Sequence, residues 1–140
     1  MGKKPNILVV GSFVMDLIVS TQRLPENGET VLGTGFRTAP GGKGLNQAVQ
    51  AARLGAQVEM MGCVGRDAYW DTMLACAREA RVDVSHVKRT DQAPSAIGNV
   101  QLFQRSDGST QNRIVVVPGA NLLLTQADVA FLREKIGGFD

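Results

Sequence analysis

The residues best suited to chemistry run as Ala39-Pro40-Gly41-Gly42-Lys43-Gly44-Leu45-Asn46-Gln47-Ala48. Three glycines among residues 41–44 let the backbone turn tightly and bring its N–H groups close to a ligand. The helix expected next adds unpaired N–H donors and the positive end of its dipole. Such a loop suits a polar, hydroxyl-rich or anionic ligand, with Lys43 and Asn46 adding side-chain contacts. It equally suits a plain tight turn into a helix, with Asn46 solvated. Asp16 likewise carries two readings from the residues alone, as a turn or strand-end carboxylate or as a ligand.

Neither common phosphate loop is present. The pattern G-x-x-x-x-G-K-[ST] would need Gly at position 37 and Ser or Thr at 44, where the chain has Arg37 and Gly44. Gly33-Thr34-Gly35 comes closest to G-x-G-x-x-G, but position 38 is Thr. A dinucleotide-dependent oxidoreductase therefore lacks its fingerprint.

The elements that must position these residues follow from periodicity. Asn6 to Val10 reads as a short apolar strand ending at Gly11-Ser12, and Met15 to Ser20 as a second extended segment. A loop through Pro25-Glu26-Asn27-Gly28-Glu29 leads to a strand from Thr30 to Phe36. Leu45, Ala48, Val49 and Ala52 predict a helix from about Lys43 to Leu54, closed by Gly55. Gln57 to Val64 is the next strand. Asp67 caps a helix whose buried stripe is Trp70, Met73, Leu74 and Ala77. Ile97 to Gln104 and Gln111 to Val117 read as a hairpin. Thr125 and Asp128 start a last helix with Val129, Leu132 and Ile136 on its apolar face.

Strand–helix alternation predicts an α/β fold with a Rossmann-like parallel sheet and flanking helices. The extended pieces near 15–36 and 97–117 predict a small separate sheet over one end. Ligands bind beyond the carboxyl ends of such parallel strands, so Gly11, Gly41–Gly44 and Gly65 are expected to share that rim.

Composition sets bounds. The 140 residues, 44% of them apolar, suit one domain with a core. A net charge of +2, scattered basic residues and 5% aromatics argue against a nucleic-acid partner. No apolar run reaches the roughly 18 residues of a membrane span, and the basic start leads into a strand, so no membrane partner and a cytoplasmic address are expected. Cys63 and Cys76 lack metal-ligand spacing and read as reduced thiols in a buried strand and helix; no metal site is expected. His86, the single histidine, is expected at the surface.

Several ordered motifs resemble the ribokinase-like (PfkB-type) carbohydrate kinases, with the ribose-phosphorylating members nearest. They are Val10-Gly11-Ser12 with Asp16, Pro25-Glu26-Asn27-Gly28-Glu29-Thr30, Gly41-Gly42-Lys43-Gly44-x-Asn46-Gln47-Ala48, Gly62-Cys63-Val64-Gly65-Arg66-Asp67 and Pro118-Gly119-Ala120-Asn121. The resemblance runs from Ile7 to Asp140 and covers the N-terminal half of that fold, so residues 1–140 are expected to be its N-terminal part. It implies a β-sheet lid, sugar contacts from Asp16 and Asn46, and a pocket lined by Gly41, Gly42 and Lys43. Lid contacts from Ile97 and Asn99 are implied with less weight. The resemblance places the catalytic base, the phosphate cradle and a monovalent-cation (K+) site beyond Asp140. Mg-ATP is the expected cofactor of a complete enzyme, ribose the expected sugar, and the chain alone is expected to be inactive. A non-catalytic module that binds sugar or forms a homodimer through its lid sheet is the alternative. Three positions depart from the family pattern: Val14 in place of a polar residue, and Trp70 and Arg81 in place of small residues.

Overall fold

A computed structural model of the chain describes residues 4–140. Its first strand, β1 (Asn6–Val10), pairs in parallel with β4 (Gln57–Met61), and β4 pairs in parallel with the short β6 (Val82–Asp83). Between them lie α1 (Lys43–Arg53) and α2 (Ala68–Glu79). The helix α1 buries Leu45, Ala48 and Val49 of the stripe that its 3.6-residue periodicity predicts, together with Gly44, while Ala52 is half-buried. At its end Gly55 adopts φ 101°, and its N–H donates to the Ala52 carbonyl at 3.0 Å. Phe13, Met15, Leu45, Met60, Met73 and Leu74 are fully buried where the sheet meets the two helices.

A second sheet of order β3-β2-β8-β9 is built from β2 (Val14–Thr21), β3 (Gly33–Gly41), β8 (Ile97–Gln104) and β9 (Thr110–Val117). β2 runs antiparallel to β3 and parallel to β8, and β8 turns through a hairpin into β9. A two-stranded parallel ladder of β5 (Cys63–Gly65) and β7 (Lys88–Thr90) lies beside the first sheet. The α/β layer with flanking helices and the separate small sheet agree with the sequence.

Four local expectations need correction. The strand expected at 30–36 lies at 33–41, because antiparallel pairing with β2 persists to the Val14–Gly41 pair. Pro40 fits there because β3 is an edge strand. The strand expected from Gln57 to Val64 is two strands broken at Gly62. A Cβ on Gly62 would stand 2.5 Å from the Gly11 carbonyl oxygen and 2.9 Å from the Phe13 ring.

The last helix is much shorter than expected. Only α3 (Leu132–Lys135) is α-helical, preceded by turns and followed by a 3₁₀ turn, Ile136–Gly138. The Thr125–Asp128 box does form, with Asp128 Oδ2 accepting from Thr125 N at 2.7 Å. Beyond it the bonds are i−3, as in Leu132 N to Val129 O and Arg133 N to Ala130 O. A helix draws most of its stability from burying one face. Here Leu132 is buried but Ile136 is 63% exposed.

His86 lies at the surface, as the sequence expects, with its side chain 34% exposed. Its ring lies tilted at 39° against Phe131 with centroids 4.5 Å apart, and Lys135 Nζ is 3.1 Å and Glu59 Oε1 3.4 Å from its Nε2. Trp70, expected in the buried stripe of α2, is only half-buried, under the Arg89 guanidinium, whose carbon lies 3.2 Å from the ring centroid. Arg81 sits at φ 65°, a left-handed position where a side chain costs about 1 kcal/mol relative to Gly.

Candidate functional site

Three glycine contacts assemble the site at the carboxyl end of β1. Gly11 and Gly44 pack backbone against backbone: a Cβ on Gly44 would stand 2.6 Å from Ser12 N, and one on Gly11 would stand 2.9 Å from Gly44 Cα. Gly62 closes on the Gly11 carbonyl from the other side. Only hydrogen side chains allow these approaches. Gly65 does not join this cluster; it packs on Pro94 and Ser95 instead.

The start of α1 is thereby pinned under the β1–β2 connection. Its N-cap Gly42, at φ 97° and ψ 144°, offers no side-chain cap. The Leu45 N–H donates to Ser12 O at 3.1 Å, and Asn46 N opens the helical ladder to Gly42 O at 2.9 Å. The first-turn N–H groups of Lys43 and Gly44 thus have no capping side chain, the arrangement that favours an electron-rich ligand. Lys43 and Asn46 are exposed at this end of the helix, as the sequence expects of ligand-facing or solvated side chains alike.

Asp16 stands beside them on β2, opposite Ala39 of β3 and Gly98 of β8. Its carboxylate lies in a slot between two glycines. A Cβ on Gly41 would stand 2.7 Å from Asp16 Oδ2, and one on Gly98 would collide with Oδ1. Burial pushes the Asp16 carboxyl above its ordinary value. Strand alternation puts Val14, Gly98 and Gly41 on the face of Asp16. It puts Ile97 and Asn99, opposite Met15 and Leu17, on the other face. The structure therefore sets Asp16 against Gly41 at the entrance to α1, whose first turn carries Lys43 and Asn46 after Gly42, and puts Ile97 and Asn99 on the opposite face of the sheet.

Two residues outside this group fix its geometry. Asn121 clamps the β1–β2 connection: its Oδ1 accepts from Phe13 N at 3.1 Å, and its Nδ2 donates to Phe13 O at 2.8 Å. Asp67 caps α2 through Tyr69 N at 3.0 Å and also accepts from Ser95 N at 2.6 Å and Ser95 Oγ at 3.1 Å. Burial alone would raise the Asp67 carboxyl, but these donors, Ser95 N foremost, hold it below its ordinary value. Ser95 starts the run into β8, where Ala96 O accepts from Met15 N at 2.8 Å. Asp67 thus helps set the height of Gly98 against Asp16.

The sequence named Asp67 as a cap only and gave Asn121 no role. It missed Gly98 altogether, although a lone Gly inside an alternating strand signals close approach of another group. Cys63 is buried, Cys76 half-buried, and both are free thiols; burial chiefly pushes the Cys63 thiol up, which keeps it unreactive. Among the described residues no group of three or more His, Cys, Asp or Glu could hold a metal ion. None of the helices described is long and apolar enough to cross a membrane. Hollows of about 500 Å³ between the ends of α1 and α2 and about 430 Å³ at the far end of the second sheet lie away from Asp16. Both are open and lack the convergence of loop, helix start and carboxylate found at the glycine slot.

This fold and this loop are those of a sugar-kinase class, and residues 4–137 match the profile of the pfkB family of carbohydrate kinases. The chain belongs to that family. It is 44% identical to ribokinase of Bacillus subtilis (strain 168) over 135 residues, which are 96% of this chain and 44% of that protein. Its structure is similar to that of ribokinase from Giardia lamblia, with TM-score 0.77, 31% identity, and coverage of 93% of this chain and 38% of that one. It is also similar to Arabidopsis thaliana ribokinase complexed with ribose and ATP, with TM-score 0.73, 32% identity, and coverage of 94% and 43%. The chain therefore spans less than half the length of the relatives it matches.

Proposed function

We propose that this chain is the sugar-binding, lid-bearing N-terminal part of an ATP-dependent sugar kinase that acts on ribose. The observation that carries the reading is the Asp16 carboxylate, held in a glycine slot beside the uncapped start of α1. An acceptor-only carboxylate takes two hydroxyl protons from a sugar, and Asn46 can both donate and accept. Gly41, Gly42 and Lys43 line the same pocket. From β8, the residue nearest the sugar is Gly98, with Ile97 and Asn99 on the far face. A site built on hydroxyl hydrogen bonds rejects sugars that lack them, because its own buried groups are left unpaired.

In the whole enzyme, a base outside these residues would take the proton of the sugar's terminal hydroxyl. That oxygen would displace ADP from the γ-phosphorus of Mg-ATP. The residues of this chain bind and orient the sugar, and the second sheet acts as the lid that excludes water. The resemblance assigns the catalytic base and the phosphate cradle to a stretch that is not among these 140 residues, so the chain alone is expected not to phosphorylate ribose.

The test is a fusion of this chain to the remaining part of Bacillus subtilis ribokinase. Asp16→Asn is expected to raise the KM for ribose by about 10- to 100-fold, the worth of one charged hydrogen bond. An unchanged KM would remove Asp16 from the site. A second reading, a non-catalytic module that dimerises through the lid sheet, is favoured by the exposure of Ile114, Val115, Val116 and Val117 along β9.

A further inference from the structure

On its own face of the second sheet, Asp16 is surrounded by carbon. Its same-face neighbours along β2 are Val14 and Ile18, and across the sheet it stands opposite Ala39 of β3 and Gly98 of β8. Val14 and Ile18 are both buried. Val100 and Ile114, at the level of Ile18 on β8 and β9, continue the same aliphatic surface. Burial is what shifts the Asp16 carboxyl, and no donor among the described residues bonds to it.

Of these side chains, Val14 is the one beside the start of α1. Its N lies 3.0 Å from the point a Cβ on Gly42 would occupy, and its Cγ1 lies 3.6 Å from the point for a Cβ on Gly98. The point beside Gly98 also abuts Asp16 Oδ1, so the Val14 methyl and the carboxylate line one hollow.

A carboxylate with both oxygens open accepts two hydroxyl protons, and hydroxyls on adjacent carbons match its spacing. In the five-membered ring form of ribose, the hydroxyls other than the terminal one are on C1, C2 and C3. Either adjacent pair includes C2, and the third hydroxyl, on C1 or C3, falls beside the pair. Same-face residues of a strand stand about 6.6 Å apart, so a ring over Asp16 also overlies Val14. There the third hydroxyl meets methyl groups that neither donate nor accept. A hydroxyl in such contact gains no hydrogen bond and loses water, so the site has no means of preferring it to hydrogen.

We propose that Val14 sets the sugar specificity of this site. It leaves the hydroxyl beside the Asp16-bound pair unread, so the site takes a pentose lacking that hydroxyl, at C1 or at C3, as readily as ribose. A pentose lacking the C2 hydroxyl is rejected. The proposal rests on the sugar-binding reading of Asp16 and adds the class of pentose accepted.

The test uses the fusion of this chain to the remaining part of Bacillus subtilis ribokinase. Its kcat/KM is measured for ribose, 1-deoxyribose (as 1,4-anhydroribitol), 2-deoxyribose and 3-deoxyribose. The value for 2-deoxyribose is expected to fall about 10- to 100-fold below ribose, the loss of one bond to a charged acceptor. Either 1-deoxyribose or 3-deoxyribose should stay within about threefold of ribose. Val14→Thr keeps the branched shape and adds a hydroxyl. It should shift the preference between ribose and that analogue at least about fivefold toward ribose, through KM with little change in kcat. Val14→Ala, which stays apolar, should leave the preference within about twofold.

A fall of about tenfold or more for all three deoxy sugars overturns the proposal, and this profile needs no variant to fold. Good use of 2-deoxyribose with loss of the other two overturns it as well. So does a preference that Val14→Thr leaves unmoved and Ile18→Thr shifts. If Asp16→Asn leaves the KM for ribose unchanged, the sugar-binding reading itself fails; if it raises that KM while all three analogues are rejected, the Val14 proposal fails alone.

Discussion

Asp16 is held at a position that favours its neutral form. Burial raises its carboxyl in the folded chain, so between the ordinary value of 3.8 and the raised one the folded state binds more protons than the unfolded state. Its contribution to stability therefore falls as pH rises through that window and stays lost at neutral pH. Asp16→Asn is expected to melt at a higher temperature at pH 7, with no gain below 3.8, while losing ribose affinity. Thermal scans at the two pH values check this, and equal melting at pH 7 would contradict the burial argument. The slot supplies a companion prediction. Gly41→Ala places a methyl group 2.7 Å from Oδ2, so the carboxylate must turn away. In the fusion enzyme this should raise the KM for ribose roughly tenfold, about 1.4 kcal/mol, with little change in kcat.

At the scale of elements, the clamps hold the site rather than touch it. Asn121→Ala would leave the N–H and C=O of Phe13, itself fully buried, without their partners. A loss of about 2–4 kcal/mol in chemical denaturation is expected, from two partly buried groups at about 1–2 kcal/mol each. The strap from residue 119 to 138 has its own pH signature. The Lys88 ammonium, 2.8 Å away, and Thr125 hold the Asp128 carboxyl down at about 2. A depressed carboxyl adds stability that is complete above 3.8 and is lost as pH falls toward about 2. Asp128→Asn should flatten the acid limb of the stability profile in that window. Lys88→Met should move the Asp128 resonance midpoint back toward 3.8.

What was legible in the sequence follows the same division. Local periodicity and caps foretold α1, α2 and the β8–β9 hairpin, because those elements are fixed by residues close in the chain. The break at Gly62, the far-face placement of Ile97 and Asn99 and the short α3 depend on partners more than 30 residues away or on uncovered surface. Gly41 to Asn46 was readable as a glycine turn into a helix start because loop and helix are contiguous. Gly98 was not, because its reason for being Gly is a carboxylate on another strand.

For the whole molecule, the register divides the second sheet into two faces of different composition. Gly98 lies opposite both Asp16 and Val116, so Val116, and Ile114 two residues before it, share the face of the Asp16 carboxylate. Val115 and Val117, with Val19 and Phe36, lie on the other face and are 67%, 48%, 37% and 68% exposed. An apolar face of that kind beside two sheet edges favours pairing with another chain. If the sheet is both lid and dimer surface, the far face is the one free to associate while sugar is bound. Val115→Lys with Phe36→Lys should then shift the molecule from dimer to monomer in analytical ultracentrifugation and leave ribose affinity within about twofold. Ile114→Lys with Val116→Lys should weaken ribose binding and leave the dimer in place. Sedimentation as a monomer at all concentrations would end the association reading. Loss of both properties in either double variant would mean that the two faces do not act separately.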